Sequence, residues 1–364
     1  MLYIMGESWY WIKQRPHFLA EHLSRYYDID LVFEKRYTKR VENDLPINIK
    51  CHEIFKLPKA HNPLIKKVNE FLTGRELKRI YREKKYDVVL FNSYNHFKML
   101  KDITGKEDFV IYDCMDDFTE FEGAKRSDEV LNKIKENEKT LYRRCNLAIF
   151  SSDYLMERIK KRYGEKDNTA VINNAIEILN NENQEPPESL KEMFSISMRN
   201  ICYIGSVSEW FDFDIVIKAL DRFKDLNFIL VGPSDTEIPK HERLRWHGQT
   251  GHENVMGVMR KADLLVMPFI VNELVKSVNP VKLYEYIYSG TPALAVKYGE
   301  TEKFGDYVYL YENEEEFFGW LEKMRRGELI PLKNIAEAES FAKDNTWKMR
   351  AAELNGLITE FMGS

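Results

Sequence analysis

Apolar runs of four or five residues alternate along the chain with stretches whose apolar positions recur at helical spacing. Apart from Asp30 and Asp87, the runs at 2–5, 29–33, 87–91, 109–112 and 147–150 are continuous rather than alternating, which is how strands buried on both faces read. Between them, 16–26 places Phe18, Leu19, His22 and Leu23 on a helical repeat. The stretch 129–144 does the same with Val130, Leu131, Ile134, Leu141 and Tyr142. From 177 to 200 the chain turns rich in Asn, Glu, Pro and Ser and reads as a linker. The pattern then restarts, with apolar runs at 201–204, 228–231, 264–267, 293–296 and 308–311, and 335–361 reads as one long terminal helix. Alternation of this kind predicts an α/β chain with two doubly wound parallel sheets, each covered by helices.

Ligands of such sheets bind at the carboxyl ends of the strands, which selects a few loops. After the strand near 262–269 comes a loop and then a short helix. Pro280 suits its first turn, Leu283, Tyr286 and Ile287 share its buried face, and Gly290 followed by Pro292 stops it. The open N–H groups at such a helix start favour an anion. Lys282 adds a positive charge there, and Glu285, one turn on, can accept hydrogen bonds from sugar hydroxyls. After the first strand, Trp9, Tyr10 and Trp11 lie in one loop, where small polar residues are usual. Aromatic faces suit sugars or lipids, although burial in the core is the plain alternative. Arg15 stands at a helix start beside Pro16. After the strand at 109–112 come Asp113, Asp116 and Asp117, a group able to bind a metal, orient a hydroxyl or act as base; one of the last two can instead cap the next helix. Ser151 and Ser152 read as a cap of the following helix. Gly205 permits a phosphate to approach the backbone after 201–204, and Gly232-Pro233-Ser234 and Trp246-His247-Gly248 end further strands.

Taken together, these stretches resemble the GT-B glycosyltransferases, most closely the bacterial enzymes similar to family 4. The resemblance rests on Asn279-Pro280-Val281-Lys282 with Glu285-Tyr286, on Gln14-Arg15-Pro16-His17 after the tryptophans, on Tyr112-Asp113 with Asp116-Asp117, on the Asn173-Asn174 turn, and on Gly205. It implies two Rossmann-like domains facing across a cleft: 1–178 with 341–364 on the acceptor side and 196–340 binding the nucleotide sugar. Residues 179–195 would link them, and a final helix around Trp347 would cross back to the first domain. By the same resemblance, Gly205, Ser206, Gly248, Ser277, Asn279, Pro280, Val281, Lys282, Glu285 and Arg15 contact the donor. Trp9, Trp11 and His17 contact the acceptor, and Asp113, Asp116 and Asp117 are the catalytic candidates. The implied activity is transfer of a sugar, most simply from a UDP-sugar, to a saccharide or lipid-linked acceptor in bacterial surface polysaccharide synthesis. Retention of configuration and no metal or cofactor requirement are part of the expectation. Two departures stand out: Ser277 occupies the place of the family's first Glu, eight residues before Glu285, and no Arg or Lys follows Gly205. A nucleotide-sugar epimerase of the same fold, or a non-catalytic nucleotide-sugar sensor or scaffold, are the alternatives. Asn174, in place of the family's glycine, is expected to tolerate positive φ. Asp212-Phe213-Asp214 spells a metal motif of the other glycosyltransferase fold, but three residues are a weak match. No G-x-G-x-x-G follows the first strand, against a dehydrogenase.

Composition changes this picture little. The 364 residues are 44% apolar and 31% charged, with a net charge of −5, which implies no strong attraction to nucleic acid. No apolar run reaches membrane-spanning length. The first residues read as a strand and not as a signal peptide. Cys51, Cys114, Cys145 and Cys202 are scattered with no CxxC pair, as in reduced, cytoplasmic proteins. The exception is 56–85, with ten basic residues against three acidic ones and apolar residues interleaved. Such a segment reads either as a solvated helix face or as a peripheral contact with an anionic membrane.

Overall fold

The computed structural model describes residues 1–35, 45–46, 48–59, 62–104, 108–178 and 185–363. The chain forms two compact units, residues 1–174 with 347–364, and residues 175–346. Of the expected linker 179–195, residues 179–184 lie outside the described residues. From Glu188 to Lys191 the chain is helical, and Leu190 is fully buried in the core of the second unit. The unit boundaries thus fall at 174 and 346 rather than at 178 and 340.

The first unit holds a seven-stranded parallel sheet of β1 (Leu2–Ile4), β2 (Asp30–Glu34), β3 (Lys50–Ile54), β4 (Val88–Phe91), β5 (Phe109–Cys114), β6 (Leu147–Phe150) and β7 (Thr169–Val171). Their spatial order is β3-β2-β1-β4-β5-β6-β7. Strands β4, β5 and β6 are buried throughout, which is why they read as uninterrupted apolar runs. β3 escaped the sequence reading because its residues, Lys-Cys-His-Glu-Ile, are mixed and it lies at the sheet edge.

The second unit repeats the plan with six parallel strands, β8 (Arg199–Ile204), β9 (Leu226–Val231), β10 (Leu244–Trp246), β11 (Leu264–Met267), β12 (Ala293–Val296) and β13 (Tyr309–Tyr311), in the order β10-β9-β8-β11-β12-β13. In each sheet the strand order reverses once, between β1 and β4 and between β8 and β11. A reversal of this kind leaves a crevice at the carboxyl ends of its two strands, where ligands of open α/β sheets bind.

The expected single terminal helix is two. Ile335–Asp344 packs on the helix Val281–Ser289 of the second unit, and Trp347–Gly363 packs on the helix Arg15–Leu23 of the first. Asn345 ends the earlier helix with its side chain donating to the Phe341 carbonyl, and Thr346 pairs with Ile176. A short polar side chain that bonds its own backbone competes with helix continuation, hence the break. In the last helix Trp347, Ala351, Leu354 and Ile358 are buried at helical spacing, and Trp347 stacks on Phe18 at 5.3 Å.

Candidate functional site

In the second unit the reversal between β8 and β11 is lined by glycine-bearing turns. The Gly205 N–H donates to the Val231 carbonyl, and the Gly232 N–H to that of Gly248. A Cβ on Gly232 would stand 2.0 Å from the Gly205 carbonyl oxygen, and one on Gly205 would meet the Tyr203 hydroxyl at 2.8 Å and Lys282 Cε at 3.0 Å. Both positions therefore require glycine for close approach. The same geometry lays the Lys282 side chain over Gly205. Ser206 is exposed beside it and accepts the Tyr203 hydroxyl on its carbonyl.

The helix Val281–Ser289 opens at this edge. Pro280 stands at its N-cap, Gly290 ends it at φ 74°, and Leu283, Tyr286 and Ile287 are buried as their spacing predicted. Tyr286 ties the helix to the sheet: its hydroxyl accepts the Ile204 N–H at 3.1 Å and donates to the Val266 carbonyl at 3.4 Å. One phenol thus fixes the helix against the carboxyl ends of both reversal strands, a role not visible in the local sequence.

Lys282 Nζ lies 3.2 Å from Glu285 Oε2, and His252 Nε2 lies 3.5 Å from Glu285 Oε1. Burial alone would raise the Glu285 carboxyl. Lys282 and His252 outweigh it and hold the group at about 2, so Glu285 is an acceptor at every physiological pH. His252 begins the helix His252–Lys261 behind Gly251. With Ile176, Glu177, Glu253, Val255, Met256 and Glu285 it lines a pocket contained in the second unit. His252 was missed by sequence reasoning because it is 33 positions from its partner and carries no motif.

Other expected donor residues turn inward. The Ser277 hydroxyl donates to the Leu274 carbonyl at 2.7 Å, and Ser277 is fully buried. Asn279 is buried too, donating to Glu300 at 3.0 Å and accepting the Tyr284 hydroxyl at 3.2 Å. These two brace the loop in front of the helix, where their side chains were expected to meet the sugar. Asp212 caps the helix Phe213–Arg222, which accounts for the Asp-x-Asp spelling. No group of three or more His, Cys, Asp or Glu among the described residues is placed to hold a metal.

In the first unit the expected residues also converge at the carboxyl edge, but differently. Arg15 is buried, pairs with Asp113 at 2.8 Å and donates to the Ile172 carbonyl at 2.7 Å. Its charge serves Asp113 where the donor diphosphate was expected. Burial raises the Asp113 carboxyl, and Arg15 opposes that. One Asp113 oxygen, Oδ2, and one Arg15 nitrogen, Nη2, have no hydrogen-bond partner among the described residues. Asp117 accepts from Arg158 at 2.5 Å, from Arg162 at 2.6 Å and from Thr119 at 2.6 Å. Although burial alone would raise it, these partners bring it to about 2. Arg162 also contacts Glu138, which accepts from Tyr112 and Tyr163. Asp117 is thereby the anchor of a buried ion network rather than a free catalytic group. Asp116 is the exception among the three: half-buried, with no ion pair among the described residues. Burial carries it up to about 6, Arg15 pulling it down and Asp113 and Asp117 pushing it further up.

Two of the expected acceptor residues are structural. Trp9 is fully buried against Phe33 and His17. His17 is buried between two backbone groups: its Nδ1 accepts the Gln14 N–H, and its Nε2 faces the Ser8 carbonyl. Burial lowers it to about 4, so it is a neutral clamp on the loop. Trp11 remains partly exposed. Ser152 caps its helix as expected. Asn174 is not at positive φ, a conformation that Lys59 alone adopts among the described non-glycine residues.

Residues 198–324 match the family described as Glycosyl transferases group 1. Over 218 residues the chain is 27% identical to the putative teichuronic acid biosynthesis glycosyltransferase TuaH of Bacillus subtilis (strain 168), covering 56% of this chain and 54% of that protein. The chain thus spans about half the length of the curated relative it matches. Two solved structures align over the whole chain and 99% of their own: sucrose-phosphate synthase from Thermosynechococcus elongatus, with a TM-score of 0.74 at 13% identity, and Anabaena Alr3699/HepE in complex with UDP and glucose, with 0.69 at 15%. The lipopolysaccharide outer core galactosyltransferase WaaB superposes with a TM-score of 0.64 at 14% identity, over 99% of both chains. The chain has the GT-B fold, and its match to the group 1 glycosyltransferases falls within the second unit.

Proposed function

We propose that the protein transfers a sugar from a nucleoside-diphosphate sugar, UDP-linked, to a saccharide or lipid-linked acceptor in the making of a bacterial surface polysaccharide. The observation that carries this is the edge formed by Gly205, Lys282, Glu285 and the open helix start at Val281. The Val281 and Lys282 N–H groups donate to no partner among the described residues, and the Lys282 side chain lies over the glycine turn. Together they suit a diphosphate. Glu285, held ionised, suits the two hydroxyls of a ribose, and the pocket beside His252 suits its base. Anabaena Alr3699/HepE has been solved with UDP and UDP-glucose, and a trehalose-6-phosphate protein of Escherichia coli with UDP-2-fluoro glucose, which supports UDP as the carrier. The teichuronic acid relative supports the polysaccharide setting.

In the reaction the acceptor oxygen bonds to the anomeric carbon and the bond from that carbon to the diphosphate breaks. The hydroxyl proton leaves to a base or to the departing phosphate oxygen. Negative charge grows on the diphosphate, and groups fixed in advance to receive it are the largest source of acceleration. Lys282 and the helix start fill that role here without a metal, and we assign retention of configuration to the reaction. Asp116, with the unmatched Asp113 Oδ2 and Arg15 Nη2 near it, supplies acceptor contacts in the first unit. The setting of this reaction is cytoplasmic.

The test is a thermal-shift panel of nucleotides and nucleotide sugars, followed by donor hydrolysis. A ligand that binds only the folded state raises the melting point. UDP and one UDP-sugar should raise it, with slow release of the sugar to water. A shift without turnover would favour the sensor reading, and conversion of the UDP-sugar without an acceptor the epimerase. No shift with any nucleotide would end the proposal.

A further inference from the structure

The helix Pro63–Glu83 follows β3, so its first turns lie at the carboxyl edge of the first unit's sheet. Asn62 caps it, accepting the Leu64 and Ile65 N–H groups. Its buried residues, Asn69, Thr73, Leu77 and Ile80, define the inward face. At 100° per residue, the line opposite that face runs through Leu64, Val68 and Phe71, then Arg75 and Arg82, with Lys67 and Lys78 beside it. Leu64 is 74% exposed and Phe71 68%. Lys67, Arg75, Lys78 and Arg82 make no ion pair among the described residues. The helix's carboxylates stand off this line on its flanks, and Arg79 engages both Glu76 and Glu83. Phe55 and Leu57, also exposed, precede the helix, and Asn69 holds Leu57 to it by bonding both its N–H and its carbonyl, at 2.7 and 3.0 Å.

We propose that this face docks on an anionic lipid bilayer, with Leu64, Val68 and Phe71 entering the headgroup boundary and the cations meeting lipid charge. A solvated helix face mixes both signs of charge and does not expose a Leu and a Phe one above the other; this one excludes carboxylates along its outermost line. Charge complementarity selects the occupant. A second copy of the chain, packed face to face about a two-fold axis, would set these cations against one another. An anionic surface attracts each of them, and their long apolar stems let the charges reach it beside inserted side chains. Docking would bring the carboxyl edge of the first sheet to the membrane, where a lipid-linked acceptor would be found. That last clause rests on the transferase reading; the docking itself does not.

Sedimentation of the full chain with vesicles tests it. The protein should pellet with phosphatidylcholine vesicles containing phosphatidylglycerol and remain in solution with phosphatidylcholine alone, and added salt should release it. Replacing the outward cations should weaken partition about fivefold for each one removed. The triple variant Lys67→Glu, Arg75→Glu, Lys78→Glu and the pair Leu64→Ser, Phe71→Ser change surface residues only. Each should lose binding while keeping the parent melting point and nucleotide response. Failure of the parent chain to bind anionic vesicles would overturn the proposal, as would binding that survives both variants. A dimer in solution that Phe71→Ser dissolves would assign the face to a second copy instead. Because vesicle binding is read without donor or acceptor, its failure and that of the nucleotide reading are separate results.

Discussion

The two sheets share one plan but use their charges in opposite ways. In the first unit the charged groups at the strand ends are largely spent on one another: Arg15 on Asp113, and Arg158 and Arg162 on Asp117. In the second, a lysine and a glutamate sit on a helix whose first N–H groups stay open. A charge at a strand end is therefore weak evidence of chemistry until its partners are known. A buried and fully matched charge holds the loops in place, while a partly exposed one at a helix start is available to a ligand.

Substitutions can break this contrast. The largest expected effect is on stability: Asp117→Ala takes from the part-buried Arg158 and Arg162 the carboxylate they share, leaving them only Glu120 and Glu138, and should cost about 3 kcal/mol in denaturant unfolding, while nucleotide affinity of the folded fraction stays at the parent value. Weakened nucleotide binding in the folded protein would place Asp117 in the site after all. Next, Lys282→Ala should lower kcat/KM by roughly a hundredfold or more and remove most of the nucleotide-dependent thermal shift with little change in apo stability. Glu285→Ala should likewise lose most of the nucleotide-dependent thermal shift while remaining folded. Glu285→Gln, which keeps the shape and removes the charge, should weaken nucleotide binding by about 1.5–3 kcal/mol, read by calorimetry. Since the folded carboxyl lies below its ordinary value, its contribution to stability is present above about pH 4.5 and fades as pH falls toward 2; the Gln variant should lack that acid limb.

Smaller and more specific is Asp116→Asn. The native carboxyl is ionised only above about pH 6, so turnover that uses its charge should fall below that pH, and the variant should flatten this limb of the rate profile. The sign for folding is opposite: a raised carboxyl favours the native state while protonated, so its effect on stability worsens as pH rises from about 4 through 6, and Asn removes that slope. An unchanged acid limb in the variant would leave the first unit without an ionising participant.

The fold was readable because parallel strands buried on both faces leave near-continuous apolar runs, and ten of the strands carried one. Those that did not, β3, β7 and β10, are short or mixed strands at sheet edges. Site reading succeeded in locating edges and was poorer at the roles of single residues. Lys282 and Glu285 are placed by local helix geometry, which sequence carries. Whether Trp9, Ser277 or Asn279 points inward depends on Phe33, on the Leu274 carbonyl and on Glu300, and Phe33 and Glu300 are too distant in sequence for any spacing rule to reveal. His252 and the two bonds of the Tyr286 hydroxyl were missed for the same reason, since each acts on a group from another segment.

The helix after Thr346 belongs to the first unit but is made only after the second. A growing chain emerges amino end first, so residues 1–174 must wait, with Phe18 uncovered, while the whole of 175–346 is synthesised. The later unit can therefore close before the earlier one. A released chain ending at Thr346 should show protease resistance in the second unit while the first is still digested, and extension through Gly363 should protect both.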